Sequence, residues 1–197
     1  MRDTTDPWIF ESRIDRRSAM QLLLLLAGTA IVPVGVAKSA ASEAGHDFDP
    51  MFGTWHAEHR RLKKRLAGST EWTTFDGTQV RQPVLGGQAN FDDNIFHLPD
   101  GDFRGLTMQS FDPKTNIWLV WWLDGRDPRT LDAPMTGSFD AGTGRFYVDD
   151  TFAGKPIKVR FVWSEITPKS HKWEQAFSPD GGNTWETNWT TRYTRAS

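Results

Sequence analysis

The chain has 197 residues, a formal net charge of −2 and no cysteine. The near-neutral charge excludes a global field that gathers nucleic acid. The missing thiols exclude disulfides, thiolate nucleophiles, a lipid-modified N-terminal cysteine and cysteine-based metal sites. Ten Trp and thirteen Phe against two Tyr call for an interior, a ligand cavity, or both, because each large ring has extensive apolar surface to bury.

The N-terminal stretch reads as an address. Arg16 and Arg17 precede an apolar run from Leu22 to Val36, and Ala37-Lys38-Ser39-Ala40-Ala41 follows. Basic, apolar and small-residue segments in that order make a signal peptide. The paired arginines make it similar to a twin-arginine signal, although Ala19-Met20 stands where that signal prefers a large apolar pair. A permanent span wants about 20 apolar residues, and this run is shorter and broken by Gly28, Pro33 and Gly35. Cleavage after Ala41 is therefore expected, with residues 1–41 as signal, residues 42–197 as one domain, and a periplasmic or extracellular destination. Contact with the membrane is expected only through this segment, during export.

Beyond it, Gly- and Pro-rich turns recur at short intervals between runs of aromatic and β-branched residues with period-two texture. Regular short strands of this kind make a sandwich or barrel. About ten strands are predicted, near 54–66, 71–82, 88–97, 103–111, 116–124, 133–140, 144–152, 156–166, 171–178 and 184–195. Short connections favour pairing between sequence neighbours, and closure removes exposed edges. In the first strand Leu62 and Leu66 are spaced as in a helix, but the segment is read as strand.

Late in the chain, Ser178-Pro179-Asp180-Gly181-Gly182-Asn183-Thr184-Trp185 resembles the Asp-box hairpin of sialidases. A sialidase propeller needs at least four blades of roughly 40 residues, and the box occurs once, so its role is read as local. Ser178, Asp180, Gly182 and Trp185 are structural candidates, the Asp capping turn amides and the glycines supplying positive φ. A hairpin centred on residues 180–182 puts Phe177 opposite Trp185 and Trp173 opposite Trp189, on one face with Gln175, Thr187 and Tyr193. Lys172, Glu174, Glu186, Asn188, Thr190 and Arg192 fall on the other, polar face.

Gly53-Thr54-Trp55, after Phe48-Asp49-Pro50-Met51-Phe52, resembles the Gly-x-Trp start of lipocalins and their calycin relatives. The resemblance implies structural roles for Gly53 and Trp55, and a basic cover for the Trp from the last strand: Arg195, or else Arg192. Phe75-Asp76-Gly77-Thr78, Leu85-Gly86-Gly87, Phe103-Arg104-Gly105-Leu106-Thr107, Ser110-Phe111-Asp112, Trp118 to Asp124 and Trp173-Glu174-Gln175-Ala176-Phe177 follow in order. From Asp47 to Arg195 the run resembles a family of exported bacterial proteins of unknown function, lipocalin-like or nitrobindin-like. The predicted fold is all-β: a single up-and-down antiparallel barrel of about ten strands, like lipocalins and fatty-acid-binding proteins.

Several residues carry candidate chemistry. Trp121, Trp163, Trp173, Gln175 and Trp189 are expected to line a cavity, with Arg104 and Arg160 as forks for an anionic group. His56, His59, Arg60 and Arg61 form a second basic cluster, read chiefly as a solvated strand. Glu165, on one face with Ile157, Val159, Phe161 and Trp163, is the catalytic candidate if buried and the rim of the barrel if not. Strand 116–124 is apolar on both faces and needs a cover or a partner.

No cofactor and no metal are expected. The nitrobindin resemblance alone would put haem on His171 or His97. His56 and His59, three apart, fall on opposite strand faces and do not make a metal pair. The resulting reading is a binder of a small hydrophobic or amphipathic molecule, monomeric or dimeric, with no nucleic-acid partner. Its alternatives are an isomerase, cyclase or hydrolase on the same barrel, a haem protein, or an interaction module using Trp118 and Trp122.

Overall fold

In the computed structural model, which describes residues 45–196, ten strands form one antiparallel barrel. They are β1 (Gly53–Leu62), β2 (Trp72–Val84), β3 (Ala89–His97), β4 (Phe103–Asp112), β5 (Ile117–Asp124), β6 (Met135–Asp140), β7 (Thr143–Phe152), β8 (Lys155–Ser164), β9 (Ser170–Ser178) and β10 (Glu186–Arg195). Each pairs with its sequence neighbours, and β10 returns to β1 with Trp55 opposite Arg195 and Arg61 opposite Trp189. The expected signal segment, residues 1–41, lies outside the described residues. No helix among the described residues is long and apolar enough to cross a membrane.

Turn chemistry explains the meander. Ala141-Gly142 and Ala153-Gly154 both take positive φ (47° and 76°, 49° and 73°). They join β6 to β7 and β7 to β8 through two-residue loops whose twist matches that of the strands. Between β4 and β5 the Asp112 carboxylate accepts from the Lys114 amide at 2.9 Å and the Thr115 hydroxyl at 2.8 Å, closing the turn with a side chain.

The first strand is shorter than expected. It stops at Leu62, and Leu66 has φ 52°. Residues 63–71 cross one end of the barrel instead, where Arg65 stacks over Phe152 and Phe177 at 4.9 and 5.6 Å. The Leu66 amide donates to Glu186 Oε1 at 2.7 Å. Because Glu186 is engaged here and Glu174 pairs with Lys172 at 3.1 Å, the two glutamates do not form an acid pair.

The C-terminal hairpin departs from its predicted register. Phe177 faces Glu186, Trp173 faces Thr191, and Trp189 faces Gln175, with a bulge between Thr187 and Trp189. Two causes act together. The Asp-box makes a wide loop between Ser178 and Glu186 rather than a turn centred on residues 180–182. The bulge then turns both Asn188 and Trp189 inward, shifting the phase by one residue. Trp185 consequently lies outside the barrel, 5.9 Å from Tyr147 and 4.5 Å from the Arg160 guanidinium. Trp173 and Trp189 still meet diagonally, edge to face at 5.6 Å.

The segment before β1 plugs one end. Phe48 is fully buried and meets Trp118, Phe139 and Trp163 edge to face at 4.9, 5.0 and 5.5 Å. A 3-10 turn at Asp49–Met51 follows, and Met51 O accepts from Trp55 Nε1 at 2.8 Å.

Candidate ligand-binding lumen

Alternation along each strand sends one set of side chains into the barrel, and the two halves of the wall differ in chemistry. From β5 to β8 the inner face is apolar, with Val120, Met135, Phe146, Val159, Phe161 and Trp163 all buried. From β2 to β4 it is polar, with Gln79, Arg81, Asn90, Asp92, Asn94 and Gln109 equally buried. β9, β10 and β1 continue the polar side with His171, Gln175, Thr191 and His59.

Asp92 organises the polar wall. Its carboxylate accepts from Arg81 Nη2 at 2.7 Å, Gln109 Nε2 at 2.9 Å and Asn94 Nδ2 at 2.6 Å. Gln79 Nε2 donates to Asn94 Oδ1 at 3.0 Å. Three donors, one of them a guanidinium, are what a carboxylate without water requires. Next to this network Tyr193 stacks on His171 at 4.3 Å, and Trp55 meets the same imidazole edge-on at 4.5 Å. Burial, with smaller pushes from Arg81 and Arg195, holds His171 down at about 2. Burial, with a smaller push from His97, holds His59 at about 3. Burial and the charge of Asp92 raise the Tyr193 phenol. All three are neutral at physiological pH.

The other end is the mouth. Phe75, Phe96 and Trp189 pack there with Phe103, Trp122 and Trp173, and Arg61, 3% exposed, lies 4.6 Å over Trp189. Beside this cluster β5 and β6 diverge, because only Trp118–Val120 pair with β6. The connecting loop folds back instead, with the Asp132 amide donating to Trp122 O at 3.2 Å and Leu131 bridging Leu123. The divergence leaves a cavity of about 30 Å³ lined by Val120, Trp122, Met135, Val148, Val159 and Phe161, with Asp132, Asp149 and Asp150 at its rim. That volume holds a water or two, so anything larger needs the mouth to rearrange. A wider groove, about 710 Å³, runs over the outside of β2, β1, β10 and β9 between the charged side chains of Glu58, Arg60, Asp76, Lys172 and Arg192.

The residues expected to line a cavity divide. Trp163, Trp173, Gln175 and Trp189 face the lumen. Trp121 does not: it sits outside opposite Met108, flanked by Leu119 and Leu123, while Trp118 and Trp122 of the same strand point inward. Strand phase decides this, since an apolar run gives no clue to which alternate set is internal. Arg104 is likewise external, exposed and 3.3 Å from Asp93, and Arg160 lies outside against Trp185. Neither arginine reaches a ligand in the lumen. Glu165 is exposed in the turn after β8, with φ 53° and Arg192 at 3.6 Å, so it shares no inner face with Trp163.

The histidines are separated by the barrel wall. His171 is enclosed within, whereas His97 ends β3 on the outside, 3.0 Å from Asp102. His56 faces out and His59 in. Among the described residues no group of three or more His, Asp or Glu could hold a metal ion.

The structural candidates cluster at the two ends. Arg195 lies over Trp55 and beside Gly53, whose φ of 117° and 2.6 Å gap from a would-be Cβ to Arg195 Nη1 admit no side chain. In the Asp-box, Asp180 accepts from Ser178 Oγ at 2.7 Å, the Thr184 amide at 2.9 Å and Thr184 Oγ1 at 2.6 Å, while the Gly182 amide donates to Ser178 Oγ at 2.8 Å.

Sequence reasoning missed the whole polar wall. Its signal was present as polar residues at every second position, Asn90, Asp92 and Asn94 in β3 and Gln79 and Arg81 in β2. The residues that alternate with them include Phe91, Ile95 and Val80, so the pattern reads inside-out, with the polar set as the solvent face.

No family model matches the chain, and no curated protein matches it in sequence. Among solved structures it is similar to the S-type phycobiliprotein lyase CPES from Guillardia theta, with a TM-score of 0.52 and 10% identity, over 76% of this chain and 90% of the lyase. It also matches EF1p2_mFAP2b bound to DFHBI, with a TM-score of 0.39 and 13% identity, over 78% of this chain and 100% of that one. The likeness to the lyase is one of fold, a lipocalin-like or calycin-like barrel.

Proposed function

We propose that this chain is an exported protein that binds a small amphipathic molecule in the mouth and lumen of its barrel. The two-sided lumen carries the reading: an apolar wall from β5 to β8 faces a hydrogen-bonding wall from β2 to β4, and a cavity within the apolar wall reaches Val120, the strand partner of Gln109. A molecule with an apolar body and a polar end complements both. Entry of anything larger than water displaces residues 63–71, which hold the mouth through Arg65 on Phe152 and the Leu66–Glu186 hydrogen bond. Binding is favoured over proton-transfer chemistry because His59 and His171, at about 3 and about 2, are poor bases near neutral pH. Residues 1–41 serve as the export signal in this reading, and no cofactor takes part.

Titration with anilinonaphthalenesulfonate, followed by quenching of tryptophan emission, tests the proposal. Saturable binding is expected, and Val148→Trp, which fills the cavity, abolishes it. Binding unchanged in that variant would move the site elsewhere, and no saturable binding would defeat the reading. N-terminal sequencing of exported protein is expected to begin at Ser42.

A further inference from the structure

We infer that the β2–β4 wall of the lumen is a pre-built acceptor site that selects ligands carrying an N–H or O–H group. The inference rests on the lumen-binding reading and names the chemistry of its polar end.

The argument begins from Asp92, 1% exposed. A carboxylate only accepts hydrogen bonds, so the Nε2 of Gln109 and the Nδ2 of Asn94 must face it, and their oxygens face away. Asn94 Oδ1 is then the acceptor for Gln79 Nε2, which orients Gln79 in turn. One ionised group thus fixes three amides. Gln79 Oε1 and Gln109 Oε1 are left without a hydrogen-bond partner among the described residues, and so is Asn90 Oδ1. The three side chains are 3%, 0% and 1% exposed. They stand on adjacent strands, with Asn90 opposite Gln109 and Gln79 opposite Asn94.

A buried acceptor left unmet carries the full penalty of its lost hydration. Gln79 and Gln109 cannot escape by turning over: Gln109 would set its oxygen against the Asp92 carboxylate, and Gln79 against Asn94 Oδ1. The wall therefore presents oxygens, and its complement is a donor. Arg81 Nε also lacks a partner, but its guanidinium is held by Asp92 at 2.7 Å and lies 4.9 Å over Phe48. Next to the array the wall turns apolar at once, with Val120 opposite Gln109. The fitting ligand class is a compact apolar body bearing an N–H or O–H, such as an N–H heteroaromatic, an amine or an alcohol. An ionised fatty carboxylate, which offers only acceptors, meets none of these three oxygens. The cavity-lining donor left unpartnered among the described residues, Trp122 Nε1, suits an acceptor on another part of the ligand.

Calorimetric titration of the mature protein with indole and benzofuran tests this, since the two differ in an N–H against a ring oxygen at nearly equal size. Indole is expected to bind about ten-fold more tightly, the discrimination of a site whose buried polar group is otherwise left unpaired. Asn90→Leu and Gln109→Leu, checked for folding by circular dichroism, locate the effect. Asn90→Leu leaves all three donors to Asp92 in place. Loss of the preference in either variant supports the array. Equal binding of the two probes by the unmodified protein overturns the inference while leaving lumen binding intact, and so does a preference retained in both variants. Binding of neither probe defeats the lumen reading and this inference with it.

Discussion

The guanidinium of Arg195 lies 4.2 Å from the ring centroid of Trp55, and this contact joins the last strand of the barrel to the first. Arg195 also donates from Nη1 to Phe52 O at 2.7 Å and from Nη2 to Pro50 O at 2.8 Å. It therefore staples β10, β1 and the plug together. Arg195→Ala is expected to lower the unfolding free energy by about 2–4 kcal/mol, from the lost stacking and charged hydrogen bonds. Arg195→Lys should restore only part of this, because an ammonium has no planar fork. Urea denaturation followed by tryptophan emission measures both.

A second prediction concerns the buried pair Arg81–Asp92, each 1% exposed. Asp92→Ala leaves a buried guanidinium and two amides without their acceptor, and should cost about 3–5 kcal/mol. Arg81→Met combined with Asp92→Leu should be less damaging than Asp92→Ala, since it removes both charges together. A double variant as unstable as the single one would show that the network, rather than the uncompensated charge, dominates.

The pH dependence follows from the two enclosed histidines. Both have folded values, about 3 for His59 and about 2 for His171, below the unfolded 6.5. The unfolded chain therefore binds protons first on acidification. Stability is fully present above pH 6.5 and declines as the pH falls from there toward the folded values. Each histidine contributes a slope approaching about 1.4 kcal/mol per pH unit. Between about pH 6.5 and 5, above the usual carboxylate range, His171→Phe should reduce the slope by about half. A slope unchanged in that variant would mean that His171 protonates without unfolding the barrel.

The Asp-box gives a local prediction. Hydrogen bonds from Thr184 and Ser178 hold the Asp180 carboxyl down at about 2. Asp180→Ala should speed hydrogen exchange at the amides of Gly182 and Thr184 while leaving exchange in β5 and β7 unchanged. Acceleration spread over the whole barrel would give the box a global role instead.

Much of the fold was readable without coordinates because it depends on local rules. Strand number and order follow from turn residues such as Asp112 and Ala153-Gly154, whose conformations are set by their own side chains or by their lack of one. Closure follows from the need of terminal strands for partners. Exported destination and the fate of residues 1–41 are also claims of sequence alone.

Phase and register were decided only in three dimensions. One bulge at Asn188 and a wide Asp-box loop moved Trp185 outside and brought Trp189 opposite Gln175, and no local pattern announces an inserted residue. The apolar run of β5 concealed which of Trp121 and Trp122 is internal, since both environments accept an indole. The Asp92 network lay furthest from view. Its members are ordinary polar residues on β2, β3 and β4, and only closure of the barrel, by removing water, makes each unmet oxygen costly enough to matter.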